Sequence, residues 1–139
     1  MANDMNHIVN RKIKFVFDGE EYFLKKSVKI MIALEQKHNQ IEKREQIENK
    51  KMIEAEKKGE EYISDFDYTS EMFDLICKSF ELTVSKQFCE KVLSYEPSET
   101  EMMNLYRILN LMRSGKTQEE AEKIVLKNED EEEIQEKKQ

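Results

Sequence analysis

The stretch that decides the fold is IKFVFDGEEYFLKKSVKIMIALEQ, residues 13–36. Its centre, Asp18-Gly19, suits a two-residue type I′ turn, in which both central residues need a positive φ. Apolar and polar residues alternate on either side of this dipeptide, as they do in a half-buried β-hairpin. The turn also predicts which residues face each other across the two strands: Phe17 and Glu20, Phe15 and Tyr22, Ile13 and Leu24.

The two faces of this hairpin differ in character. Because side chains alternate along a strand, one face collects five apolar residues: Ile13, Phe15, Phe17, Tyr22 and Leu24. The other face carries charged residues together with Val16 and Phe23. A two-stranded ribbon is marginally stable alone, so its apolar face must be covered by a helix of this chain or by another subunit. Its edge could also accept a strand from a neighbouring subunit, and the sequence leaves these alternatives open.

A long, charged helix follows the hairpin. Ser27 is a suitable N-cap, and the helical pattern continues to about Lys58, where Gly59 is a suitable stop. Residues 35–61 contain eight acids and seven bases but few apolar residues. This segment has too little apolar surface to lie in a core. It is therefore either a solvated helical arm or a partly disordered insertion.

Four further helices are predicted, over 69–82, 85–95 and 98–113 and from Thr117 onward. The third is unusual, because eight of the eleven residues from Met102 to Met112 are apolar. Such a helix must be central, or must show part of its surface to a partner. Phe73, Phe80 and Phe88 are expected in the core.

These elements predict a mostly helical α+β fold, with the N-terminal hairpin packed on a small bundle of about four to five helices. A chain of 139 residues favours one domain. We expect it to span 1–127, with the hairpin at 8–26, the helical body at 27–127 and the charged segment at about 35–61. Residues 128–139 hold six acids and two lysines, which is typical of a disordered tail.

Residues with catalytic or ligand-binding chemistry are sparse. Neither His7 nor His38 has a neighbour at metal-ligand spacing, and Asp65 and Asp67 are more typical of a helix cap than of a cation site. The chain has only three glycines and no phosphate-binding loop. Its two cysteines, twelve residues apart, do not form a zinc pattern. We therefore expect a protein that is not an enzyme and has no metal or cofactor.

The charge and hydropathy patterns exclude other classes of partner. A net charge of −7 with bases interleaved among acids disfavours nucleic-acid binding. No run of residues approaches a membrane span, and the N-terminus has no apolar signal core, so a cytoplasmic location is expected. The remaining candidates for function are protein-binding surfaces. The adaptable methionines of segment 98–113 are the first of these.

The segment FVFDGEEYFLKKSVKIMIALEQ resembles the opening of the tail assembly chaperones of long-tailed bacteriophages and prophages. Those proteins often begin with a strand, Asp-Gly, a second strand and then a helix of the type ALEQ. The later segment MFDLICKSFELTVSKQFCEKVLSYEPSETEMMNLYRILNLM also resembles the helical body of that family. The resemblance covers most of residues 8–114, and the charged segment 35–61 is longer than the family pattern.

The resemblance implies a non-enzymatic chaperone that binds the long, helical tape-measure protein, keeps it soluble and helps to recruit tail tube subunits. It implies a location in the host cytoplasm and weak self-association. The expected partner-binding residues are Met102, Met103, Tyr106, Leu109, Met112, Phe23 and Val16. Two alternatives stay open, a small acidic adaptor or inhibitor of a host protein and a structural accessory subunit of the virion.

Overall fold

The computed structural model describes residues 12–127, which form an N-terminal hairpin followed by five helices. The predicted mostly helical α+β class is confirmed. The predicted start of the hairpin at residue 8 and the acidic tail at 128–139 lie outside the described residues.

The hairpin has the predicted turn and register. Strand β1 is Lys12–Phe17 and strand β2 is Glu20–Lys25, and they pair antiparallel with Phe17 opposite Glu20. The turn residues Asp18 and Gly19 have φ values of 50° and 76°, as a type I′ turn requires. The carboxylate of Asp18 accepts a hydrogen bond from the Tyr95 hydroxyl and lies 3.2 Å from the Lys91 ammonium. These contacts hold the turn against the helices and lower the pKa of Asp18.

Helix α1, Val28–Lys57, is a single 30-residue helix. The Ser27 side chain accepts a hydrogen bond from the Ile30 amide, as expected of an N-cap, and Gly59 follows the helix with φ of 69°. Of the two alternatives for 35–61, the helical arm is therefore correct up to Lys57. The second half of α1 is not solvated on every side, because the return segment, residues 59–67, lies along it through Tyr62, Ser64 and Phe66.

The remaining helices are α2 (Tyr68–Thr83), α3 (Lys86–Leu93), α4 (Glu99–Arg113) and α5 (118–127). Side-chain caps begin each of them where the sequence places a cap. Asp67 accepts a hydrogen bond from the Ser70 amide at the start of α2, and Ser98 and Glu101 form a reciprocal capping box at the start of α4. Thr117 and Glu120 form a second capping box at the start of α5.

The main core lies between the inner face of the hairpin and the helices α2 to α5. Phe88 is at its centre and contacts Phe15, Phe17, Tyr22 and Phe80 through ring packing. The apolar face of the hairpin is therefore covered by helices of the same chain, and the hairpin closes one side of the bundle. Helix α2 packs against α1, α3 and α4, and a smaller cluster joins it to α1 through Leu34, Ile41, Met72 and Leu75.

Candidate functional site

Helix α4 carries five of the seven candidate partner-binding residues, and the structure buries most of them. Met102, Tyr106, Leu109 and Met112 are all buried, and Met103 is half-buried. From Met102 to Arg113 only Arg107 is exposed. Of the two alternatives for this helix, the central position is therefore the one observed, and these four side chains do not form an open surface. The reason is that α2 covers one side of α4 while the hairpin core covers another.

One end of α4 nevertheless lines a groove. The groove lies between the first turns of α2 and the start of α4, and its volume is about 280 Å³. Its lining includes three methionines, Met72, Met102 and Met103, together with Ile76 and Phe73. Met72, Met102 and Ile76 are only 2–3% exposed. The more open apolar surface of the groove therefore belongs to Phe73 and to the half-buried Met103, whose flexible side chain can adapt to apolar groups of different shape.

The charged residues of this groove have one sign. Among residues 12–127, the ionisable side chains that line it are Asp74 on α2 and Glu99 on α4. Both are exposed at the surface. Glu99 lies in the first turn of α4, where the helix dipole favours a negative charge. The groove is thus apolar inside and acidic at its rim, which suits an apolar segment flanked by lysine or arginine.

Phe73 is the residue of this site that the sequence pattern misassigns. The helical wheel of α2 puts Phe73 on the same side as Met72 and Ile76, and on that basis it is expected in the core. The structure leaves 42% of Phe73 exposed beside the groove, whereas Phe80 and Phe88 are fully buried as expected. An amphipathic pattern marks the apolar side of a helix but not how far a neighbouring helix extends along it.

The other two candidates, Val16 and Phe23, lie on the outer face of the hairpin. They are 47% and 51% exposed, respectively. Around them, Lys14 and Glu21 form an ion pair of 2.7 Å across the strands. These two residues are far along the chain from the groove and belong to a different element, so the seven candidates do not form one site.

A buried carboxylate on α1 is a feature that sequence reasoning misses. Glu48 is only 4% exposed, and it accepts hydrogen bonds from Tyr62, from Ser64 at 2.8 Å and from Arg44 at 2.9 Å. These donors lower its pKa from 4.5 to about 2, with the Tyr62 hydroxyl the largest cause. The arrangement supplies donors to both carboxylate oxygens and fixes the return segment to α1, which indicates a structural role.

The two cysteines lie close enough to interact, and both are reduced. Burial raises the pKa of Cys89 to about 12, and that of Cys77 is raised for the same reason. Low thiolate content makes them poor nucleophiles. Within 12–127 no group of histidine, cysteine or acidic residues is arranged to hold a metal ion. Nor does any helix of that part of the chain combine the length and apolar character needed to cross a bilayer.

No protein-family model, curated protein or solved structure matches the chain.

Proposed function

We propose that this protein is a non-enzymatic tail assembly chaperone of a long-tailed phage or prophage. It binds the tape-measure protein in the host cytoplasm, keeps it soluble and helps to recruit tail tube subunits. The resemblance of most of residues 8–114 to that family, outside the longer charged segment 35–61, supports this proposal. The observation that carries it furthest is the methionine-lined groove with an acidic rim between α2 and α4.

The groove suits a client of the expected chemistry. An amphipathic helix binds a groove by inserting apolar side chains spaced at i, i+3, i+4 and i+7. A volume of about 280 Å³ admits a few such side chains and not a whole helix, so the client makes a short local contact. Phe73 at the rim offers an aromatic contact that the client would cover. Asp74 and Glu99 favour client segments in which lysine or arginine flanks the apolar residues.

The same features suit reversible binding. A chaperone that must release its client needs modest affinity at each contact, and a small open groove with exposed charges gives modest affinity. The charged surface of α1 keeps the complex soluble, since its exposed side carries many charged residues of both signs. Many copies bound along one long client would add up to an extended coat.

The first test is an affinity purification of the tagged protein from its native host during particle assembly, with mass spectrometry of the proteins that accompany it. We expect one very long, helix-rich structural protein and the tail tube subunit, and we expect finished particles to lack this chain. Recovery of one host enzyme or regulator without a structural protein would overturn the proposal in favour of an adaptor. Presence of the chain in finished particles would overturn it in favour of a structural subunit.

A pair of variants on α2 tests the groove itself. Phe73→Asp places a charge at the groove, whereas Leu82→Asp places the same charge at the other end of the helix. The two side chains are similarly exposed, at 42% and 39%, so both variants are expected to fold. Phe73→Asp should recover about tenfold less client than the wild type, because one aromatic side chain can dominate a small contact. Leu82→Asp should recover about as much client as the wild type. Equal recovery by both variants would exclude the groove as the client site.

A further inference from the structure

The hairpin has two outer edges, and within residues 12–127 a helix covers part of one of them. At the outer edge of β1, the Gln118 side chain donates to the carbonyl of Val16 and accepts from its amide, both at 3.0 Å. Gln118 belongs to α5, so this helix covers β1 where a further strand would pair. Within residues 12–127 the sheet has two strands, and no backbone partner lies at the outer edge of β2.

The register decides which residues of β2 face that open edge. With a two-residue turn, Phe17 and Glu20 form the first hydrogen-bonded pair, and every second pair after it is also bonded. The backbone groups of Glu20, Tyr22 and Leu24 therefore face β1, and those of Glu21, Phe23 and Lys25 face outward. The bonds of Val16 to Gln118 agree with this alternation, because Val16 lies opposite Glu21.

The open edge is accessible and carries an exposed aromatic residue. Glu21, Phe23 and Lys25 are all exposed, and so is Val28, where the chain enters α1. An exposed edge with an aromatic residue at its centre is a template for pairing with another strand.

We propose that β2 pairs antiparallel with β2 of a second copy of this chain, about a two-fold axis at Phe23. This register sets Phe23 opposite the same residue of the second copy. It also sets Glu21 of each copy opposite Lys25 of the other, so that both cross-strand pairs join opposite charges. All three outward-facing residues of each strand then find a backbone partner. The product is a four-stranded sheet in which the Phe23 rings cover each other.

Other registers of the same edge are worse. Shifting the axis to Glu21 or to Lys25 sets like charges opposite each other and loses backbone pairs. Shifting it by one residue, to Tyr22 or to Leu24, moves the register by two and keeps the bonding pattern. Such a shift sets Phe23 opposite Glu21 or Lys25, however, and it leaves one outward-facing residue of each strand without a strand partner. Charge complementarity thus selects both the partner, a second copy, and the register. The proposal does not depend on the chaperone function.

Charge reversal gives a direct test by sedimentation equilibrium of the full chain over a wide concentration range. Wild type is expected to show a weak monomer–dimer equilibrium. Glu21→Lys and Lys25→Glu each set two like-charged pairs across the interface, so each should weaken the dimer about tenfold or more. An equimolar mixture of the two variants should recover the wild-type association. One copy of the mixed dimer then carries lysine at both positions and the other carries glutamate at both, so each cross-strand pair again joins opposite charges. The double variant E21K/K25E should also recover it.

Lys12→Glu is the matched control for Lys25→Glu. Lys12 and Lys25 are cross-strand partners on the same face, so each reversal removes the same like-charge pair within the hairpin, but only Lys25 lies on the open edge. Lys12→Glu should dimerise like the wild type, and circular dichroism should show that every variant is folded. A monomer at all concentrations would overturn the proposal, as would dimerisation of Glu21→Lys and Lys25→Glu as strong as that of the wild type. An equimolar mixture of the two variants that fails to associate would overturn it too.

Discussion

Leu109, at 1% exposed, tests whether α4 is the central helix. Leu109→Asp would place a charge without a partner inside the core that the hairpin shares with α2, α3 and α4. Loss of the leucine alone costs about 2–5 kcal/mol, and the buried charge adds to that. Since small domains have about 5–15 kcal/mol in total, we expect the variant to be unfolded or close to it at 25 °C. Circular dichroism with urea titration measures this.

Arg107→Asp is the control for that variant. Arg107 is exposed on the same helix, two residues before Leu109. The variant therefore introduces an aspartate into α4 without burying it. It should keep the helical signal and unfold within about 0.5 kcal/mol of the wild type, as surface substitutions usually do. A folded Leu109→Asp variant would contradict the central position of α4.

Single residues are also where sequence reasoning was weakest. The apolar run 102–112 indicates a helix that is central or partner-binding, but not which of its side chains reach the surface. Glu48 reads as one more charge on a solvated arm, because nothing local marks it as buried. Its burial depends on Tyr62 and Ser64, which lie fourteen and sixteen residues further along and whose positions are set by the turn after α1.

At the scale of elements, local signals were sufficient for the hairpin and the helix starts. Asp18-Gly19 specifies the turn, and the turn specifies the register, so the pairing of β1 with β2 followed from two residues. The caps at Ser27 and Ser98 likewise mark where α1 and α4 begin. The way in which elements cover one another did not follow, since the position of 59–67 along α1 and the exposure of Phe73 depend on tertiary packing.

The contact of the return segment with α1 predicts a pH dependence. The pKa of Glu48 is about 2 in the folded chain against an ordinary 4.5. The folded state therefore favours the charged form, and the stabilisation is fully present above pH 4.5. It is lost as pH falls from about 4.5 toward 2. Glu48→Gln lacks this titration, so the difference in urea midpoint between wild type and variant should be largest near neutral pH. It should shrink below pH 4.5.

Glu54→Gln is the control for this measurement, because Glu54 is an exposed carboxylate on the same helix. It should leave the urea midpoint close to that of the wild type at every pH. A gap between wild type and Glu48→Gln that stays constant from pH 7 to pH 3 would show that Glu48 contributes no charged hydrogen bonds. The contact would then act through shape alone.

At the scale of the whole molecule, packing is uneven. The hairpin, α2, α3, α4 and α5 share one core of thirteen buried residues. The second half of α1 is held by Ala55 and the Glu48 contacts, and it leaves Ile47, Met52 and Ile53 exposed. Segments with few buried contacts open locally at lower free energy than the segments that form the core.

Hydrogen exchange with mass spectrometry should therefore resolve two levels of protection. Amides of residues 49–57 are expected to exchange well before those of 102–112, although both stretches are fully helical. Glu48→Gln should speed exchange in 49–57 and in the return segment while leaving 102–112 unchanged, because the return segment is attached to α1 and not to α4. Equal protection of both stretches would show that the arm and the core unfold as one unit. If both stretches unfold as one unit, a client bound at the groove would slow exchange along α1 to its far end. If there are two levels of protection, the client would slow exchange only in α2, in α4 and in the α1 residues next to them.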